Sequence, residues 1–385
     1  MPMTSRERVL AAINHEEPDR VPLTIGVNNA TGIKMKPYRG IKRIAGIEAL
    51  DNYIYDWPEL GTAAIDEQTM RRLHSDVRGV LDLEPATVRE RNRMREPHSD
   101  YIDSWGSGQT EIVPGDWFPG IHPLADATTI DDLEQYGGWP DMTDPSRVAH
   151  VKAEAQRLAN DNEFAIVATP WLLFPFERAH AMQGMETFLL NMAMNPDFAR
   201  ALLEKIADRC KQLMGRFLEE LGDNVDIIKI GDDLGTQSSL MISPKMYRDM
   251  LKPVHEDFIN FIKARTSAKV LFHSCGDVAP LIGDFIEIGV DILNPIQTST
   301  GSISDLPSLK KRFGKNIVFC GGIDSHRILP FGSVGEVREE VRRVMEVLGP
   351  GGGYLLGPVH TVMNDVPPEN VLAMVDAVEA FGYYR

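Results

Sequence analysis

From Phe164 onward the chain alternates short apolar runs with amphipathic stretches, and few folds accommodate that rhythm. Six runs read as strands: Phe164–Thr169, Val225–Ile230, Val270–Ser274, Val290–Asn294, Ile317–Gly322 and Gly353–Gly357. Between and after them come helical patterns. The one following Asp197 places Phe198, Leu202, Ile206, Cys210, Leu213 and Phe217 at three- and four-residue spacing, which makes Cys210 a core residue. Another opens at Ser243-Pro244, an N-cap followed by proline, and runs toward Arg265. Further helical segments are expected near 278–288, 306–313, 334–348 and 368–381. Strands that alternate with helices pair in parallel, because a parallel crossover needs a helix-length connection.

Upstream, Arg20–Gly26 and the less regular Leu73–Val80 bring the strands to eight. Eight such units close as an α/β fold of the (β/α)8, or TIM, barrel type, with its site at the C-terminal ends of the strands. A doubly wound open sheet would need Gly-x-Gly-x-x-Gly after a strand, which is absent; the glycine-rich 349–353 precedes one. The 385 residues fit a single barrel domain. Residues 81–148 are rich in Pro and Gly, poor in periodicity, and include Trp105, Trp117, Phe118 and Trp139. They are expected to be an insertion after the second strand, forming a lid over the mouth or a subdomain at its side. At the start, Thr4 and Glu7 fit a capping box for a helix through Ile13.

The chemistry gathers where apolar runs stop. His273 and Cys275 follow Lys269-Val270-Leu271-Phe272, and alternation along a strand puts both on one face, close enough to share an ion. Cys320 and His360 end two later strands. Mixed nitrogen and sulfur donors suit zinc better than magnesium or calcium. Three protein ligands and an open position would make the site catalytic, and four would make it structural. Asp76, Asp232, Asp233, Asp277 and Asp324 are expected at the same rim, the first three as candidates for acid–base or orienting roles.

The formal net charge of −16 argues against a nucleic-acid or anionic-membrane surface. Three scattered cysteines make no disulfide framework, and the N-terminus has no apolar leader, so a cytoplasmic protein is expected. A homodimer is left open.

Several segments resemble the uroporphyrinogen decarboxylase superfamily: residues 4–12 with Pro18-Asp19-Arg20-Val21-Pro22, the Gly231-Asp232-Asp233-Leu234-Gly235 turn, His273-Ser274-Cys275-Gly276, Gly321-Gly322-Ile323-Asp324 and Pro367-Pro368-Glu369-Asn370-Val371. The resemblance implies the (β/α)8 barrel and two branches, tetrapyrrole decarboxylases and zinc-dependent methyltransferases that work with a corrinoid protein. His273 and Cys275 look like the first two zinc ligands of the methyltransferase branch. Its third ligand, a cysteine at the last strand's end, is matched in place by His360, with Cys320 as the neighbouring substitute. Asp76 resembles the decarboxylases' catalytic aspartate and His360 their late histidine. However, the loop Val27-Asn28-Asn29-Ala30-Thr31 lacks the arginines that would clamp substrate carboxylates. The resemblance therefore implies a zinc-dependent methyltransferase that moves a methyl group between the corrinoid (cobalamin) of a partner protein, docked at the barrel mouth, and a thiol or folate acceptor. The alternatives are a metal-independent decarboxylase and a non-catalytic protein that binds a corrinoid partner around a structural zinc.

Overall fold

Seven parallel strands make one continuous sheet in chain order: β1 (Val77–Leu81), β2 (Ala165–Thr169), β3 (Ile227–Gly231), β4 (Lys269–His273), β5 (Ile292–Ile296), β6 (Val318–Ile323) and β7 (Tyr354–Pro358). The computed structural model describes all residues except 1, 29, 55–56, 97, 114–115, 172–173 and 385; Asn29 of the loop noted above thus lies outside the described residues.

The barrel is closed by residues 21–25. Leu23 bridges Leu356 of β7 in parallel, and on the other side the amide of Asp76, just before β1, donates to Leu23 O at 2.9 Å. The expected first strand thus contributes single bridges in place of a ladder. Pro22 has no N–H to donate, and the Leu23 N–H goes to the Asp76 carboxylate at 2.7 Å.

Inside the barrel, Val77, Val167, Ile227, Leu271, Ile292, Val318, Cys320 and Leu355 form a core of their own. Val9, Ala12 and Ile13 join it from the helix Ser5–Ile13, which plugs the N-terminal pole and starts with the Thr4/Glu7 capping box. Larger aromatic and aliphatic side chains fill the layer between sheet and helices. There the 26-residue helix Pro196–Leu221 buries Phe198, Leu202, Ile206, Cys210, Leu213 and Phe217, as its spacing requires. Among the described residues, no helix is long and apolar enough to cross a membrane.

The stretch 81–148 is more regular than its composition suggests. It holds the helices Ala86–Arg93 and Ile130–Gln135 and an antiparallel ribbon of Tyr101–Ile102, Gly108–Val113 and Asp116–Ile121. Gly and Pro within the ribbon mask its alternation in sequence. Two buried arginines fasten it. Arg147 pairs with Asp82 and Glu84, both at 3.1 Å, and Arg178 pairs with Asp103 while standing 4.8 Å from the Trp105 ring.

The second strand corrects the expected place of Asp76. Asp76 was expected at the rim, although it falls in the first half of the predicted Leu73–Val80 strand; Leu73 caps the helix Glu67–Arg72, the strand begins only at Val77, and Asp76 stands just before it. Asp76 therefore lies at the N-terminal pole, at the end away from the strands' C-termini. It is fully buried there between Arg8 (2.6 Å) and Arg20 (3.0 Å). Such a clamp serves stability, because chemistry in this fold uses the opposite end.

Candidate metal centre

Strand β4 ends at His273, and the chain turns through Ser274 and Cys275 into Gly276. That turn is tied down on three sides. Ser274 N–H donates to Asn294 O (2.7 Å), Cys275 N–H to Asp233 Oδ1 (2.8 Å) and Gly276 N–H to Gln297 Oε1 (2.9 Å). Gly276 has φ +86°, and a Cβ there would meet Gly235 C at 2.3 Å. The two loops therefore pack backbone against backbone, which only glycine allows, and that packing sets Asp233 beside Cys275.

His273, Cys275 and His360 converge at the C-terminal mouth, each offering one ligand atom, and these atoms lie within 4.8 Å of one another. Cys275 Sγ is 3.3 Å from His273 Nε2, and the two imidazole centroids are 5.6 Å apart. His273 is buried, Cys275 half-buried and His360 exposed on the open side.

The strand next door sets the orientation of His273. Asn294 of β5 pairs with His273 in register, and its Oδ1 stands 2.6 Å from His273 Nδ1. The Asn294 amide nitrogen faces the Cys320 carbonyl oxygen and Sγ, each at 3.4 Å, so its oxygen is the atom turned to the imidazole. Nδ1 must then carry the proton, which leaves the Nε2 lone pair aimed at the cluster.

The electrostatics favour a cation. Burial, with Lys229 nearby, lowers His273 to about 4; His360, open on one side, is lowered by desolvation of its inner face, so both are neutral ligands at physiological pH. Burial, together with the carboxylates of Asp233 and Glu177, pushes the Cys275 thiol far up. Burial followed by the charges of Asp233 and Asp232 also raises Glu177, while burial lowers Lys229. A divalent cation reverses this balance, since it offsets the crowded carboxylates and deprotonates a coordinating thiol. The donor set fits zinc, with two imidazole nitrogens and a sulfur from the protein.

The other sequence candidates have different places. Cys320 is outside the cluster. It is 99% buried in the barrel interior, against Thr24 Oγ1 (3.6 Å) and Asn294, and burial raises its thiol to about 11. It is thus no substitute for His360 in the set: alternation within β6 turns Cys320 inward with Val318, one layer below the mouth. Asp232 is also no free acid at the rim. Fully buried, it accepts from the amides of Phe176 (3.0 Å) and Glu177 (2.8 Å) and from His255 Nε2 (3.0 Å), so it anchors the start of the helix Pro175–Gln183. Asp233 does face the cluster, with Oδ1 3.8 Å from His273 Nε2. Asp277 and Asp324 hold the loop amides of Ser302 (2.9 Å) and His326 (2.7 Å).

Glu177, Lys229 and Asn294 were missed in the sequence. Asn294 had a signal, a polar residue closing an apolar run one strand after the His-x-Cys pair. Glu177 and Lys229 had none, since a helix glutamate and a strand lysine are ordinarily solvated.

Comparison with known proteins follows the same lines. The family described as "Uroporphyrinogen decarboxylase (URO-D)" matches residues 112–381. A uroporphyrinogen decarboxylase from Alkalilimnicola ehrlichii is 23% identical over 399 aligned residues, covering 98% of this chain and 94% of its own. One from Legionella pneumophila is 27% identical over 182 residues, a match that spans 47% of each protein. Among solved structures, a methyltransferase from Methanosarcina mazei superposes with a TM-score of 0.66 over 98% of this chain and 99% of its own, at 20% identity. At that identity the likeness establishes the shared barrel fold.

Proposed function

We propose, for a chain that belongs to the uroporphyrinogen decarboxylase family, a zinc-dependent methyltransferase that moves a methyl group between a corrinoid carried by a partner protein and a thiol or folate acceptor. The observation that carries this is the His273–Cys275–His360 cluster, three soft-to-borderline donors within 4.8 Å at the mouth of the barrel. Three protein donors leave one tetrahedral position for an incoming group.

Zinc held there would act as a Lewis acid that keeps an acceptor thiol as its thiolate at neutral pH. The protein's own groups do the rest. Asn294 fixes the His273 tautomer, and Asp233 fixes the Cys275 backbone through the 2.8 Å hydrogen bond. His360 closes the set from the last strand. Glu177 and Asp233 add negative charge around Cys275, which a bound cation would offset. A corrinoid docked at the mouth would supply or receive the methyl group, and His273, Cys275 and His360 would hold the zinc that presents the acceptor to it.

The decarboxylase alternative cannot draw on Asp76, which is locked between Arg8 and Arg20 at the other pole. The names of the curated relatives describe those proteins. The discriminating experiment supplies purified protein with methylcobalamin and a thiol or folate acceptor. Zinc-dependent demethylation that is lost in Cys275→Ser supports the proposal. Full activity after zinc removal, or decarboxylation of uroporphyrinogen, would refute it.

A further inference from the structure

Beside the mouth lies a large open cleft of about 1250 Å³, walled by the helix Met35–Ala45, the strands Gly108–Val113 and Asp116–Ile121 and the loop 363–368. Its charge runs against that of the chain. Among the described lining residues, Lys34, Lys36, Arg39 and Arg43 face Glu111 and Asp365, four positive groups against two negative, in a protein whose formal net charge is −16. Part of that charge is already used. Arg39 pairs with Asp51 at 2.6 Å, Lys34 Nζ donates to Leu60 O, and Glu111 pairs with His98.

Lys36 and Arg43 are exposed and have no ion pair among the described residues. They project from the two ends of the helix Met35–Ala45, Lys36 in its first turn and Arg43 in its last. The remaining wall is apolar and aromatic: Met35, Tyr53, Trp117, Phe118 and Met363. The cleft also adjoins the metal-type cluster: Lys34 N–H donates to Val362 O at 2.8 Å, two residues past His360.

We infer that this cleft binds the anionic part of the protein's small-molecule substrate, a carboxylate- or phosphate-bearing compound with an apolar body, through Lys36 and Arg43. Its position next to His360 orients the reacting end of that compound toward the cluster, a step that rests on the methyltransferase reading; binding itself does not. A concave wall with aromatic patches favours an enclosed small molecule over the flat acidic face of a protein partner.

The test is titration calorimetry of the full chain at low salt with citrate and with inorganic pyrophosphate, which separate carboxylate from phosphate recognition. Variants are Lys36→Gln with Arg43→Gln, and Lys245→Gln as a control on the 85% exposed side chain of Lys245. At least one probe is expected to bind with salt-sensitive affinity, about tenfold weaker in the double variant, unchanged in the control, and with zinc content constant throughout. No binding of either probe to the wild type, or equal binding by the double variant, overturns the inference. Binding as expected in a protein that retains no zinc would instead sink the metal-centred function and leave the cleft standing.

Discussion

Asn294 Oδ1 lies 2.6 Å from His273 Nδ1 while the same amide's nitrogen faces Cys320 at 3.4 Å, so one side chain links a candidate metal ligand to the barrel core. A protonated Nδ1 and a free Nε2 follow from that geometry, and the imidazole is held ready to coordinate.

Removing this support is expected to weaken zinc binding without dismantling the fold. Asn294→Leu should lose roughly 10- to 100-fold in zinc affinity, the usual cost of deleting a ligand's hydrogen-bond partner. Competition against a chromogenic chelator measures it. Unchanged affinity would mean that His273 does not depend on Asn294.

Cys320 and Cys275 should behave oppositely. Cys275→Ser is expected to lose most of the zinc, since a hydroxyl is a poor substitute for thiolate. Cys320→Ser should keep about one zinc per chain, because its sulfur sits in the interior against Thr24 and Asn294. Metal analysis after gel filtration separates the two; equal loss in both variants would return Cys320 to the site.

Asp76→Asn should affect stability and leave metal content alone. The substitution breaks a fully buried carboxylate's pairing with Arg8 and Arg20 and leaves two buried guanidiniums undercompensated. Breaking a buried pair costs about 3–5 kcal/mol. Urea unfolding with zinc analysis on the same sample reports both quantities, and a variant as stable as wild type would contradict the clamp.

Acid should loosen the molecule through Asp19 and Asp284. Burial works to raise both carboxyls, but Arg8 at Asp19 and Arg248 with Lys252 at Asp284 outweigh it, and each ends below its ordinary value of 3.8. The unfolded chain then binds more protons than the folded one as pH falls through the carboxylate range. Their stabilisation is present above about pH 4 and is lost as pH drops through the folded values. Thermal melts from pH 6 to pH 3 should show a falling Tm, less steep in Asp284→Asn; identical slopes would exclude Asp284 from the acid response.

The legible part of the molecule was the part where burial writes a periodic pattern. Both faces of β2 to β7 are covered, so their sequences are nearly continuous apolar runs, and His273, Cys275 and His360 stand where those runs stop. The start of β1 was obscured because Leu73 caps the preceding helix, and Asp76 precedes the strand at the N-terminal pole where the resemblance had pointed to the rim. Cys320 shows the same sensitivity at the scale of one pleat, since its position along β6 decides whether a thiol faces the mouth or the interior. The 108–121 ribbon was hidden by its own Gly and Pro, and the cleft it walls depends on elements distant in sequence.

Zinc X-ray absorption on the purified protein, with and without a thiol acceptor, tests the open three-ligand centre most directly. The account predicts one sulfur and two imidazole nitrogens from the protein at rest, rising to two sulfurs when thiol is added. Two sulfurs at rest, unchanged by thiol, would contradict it and make the zinc a structural one.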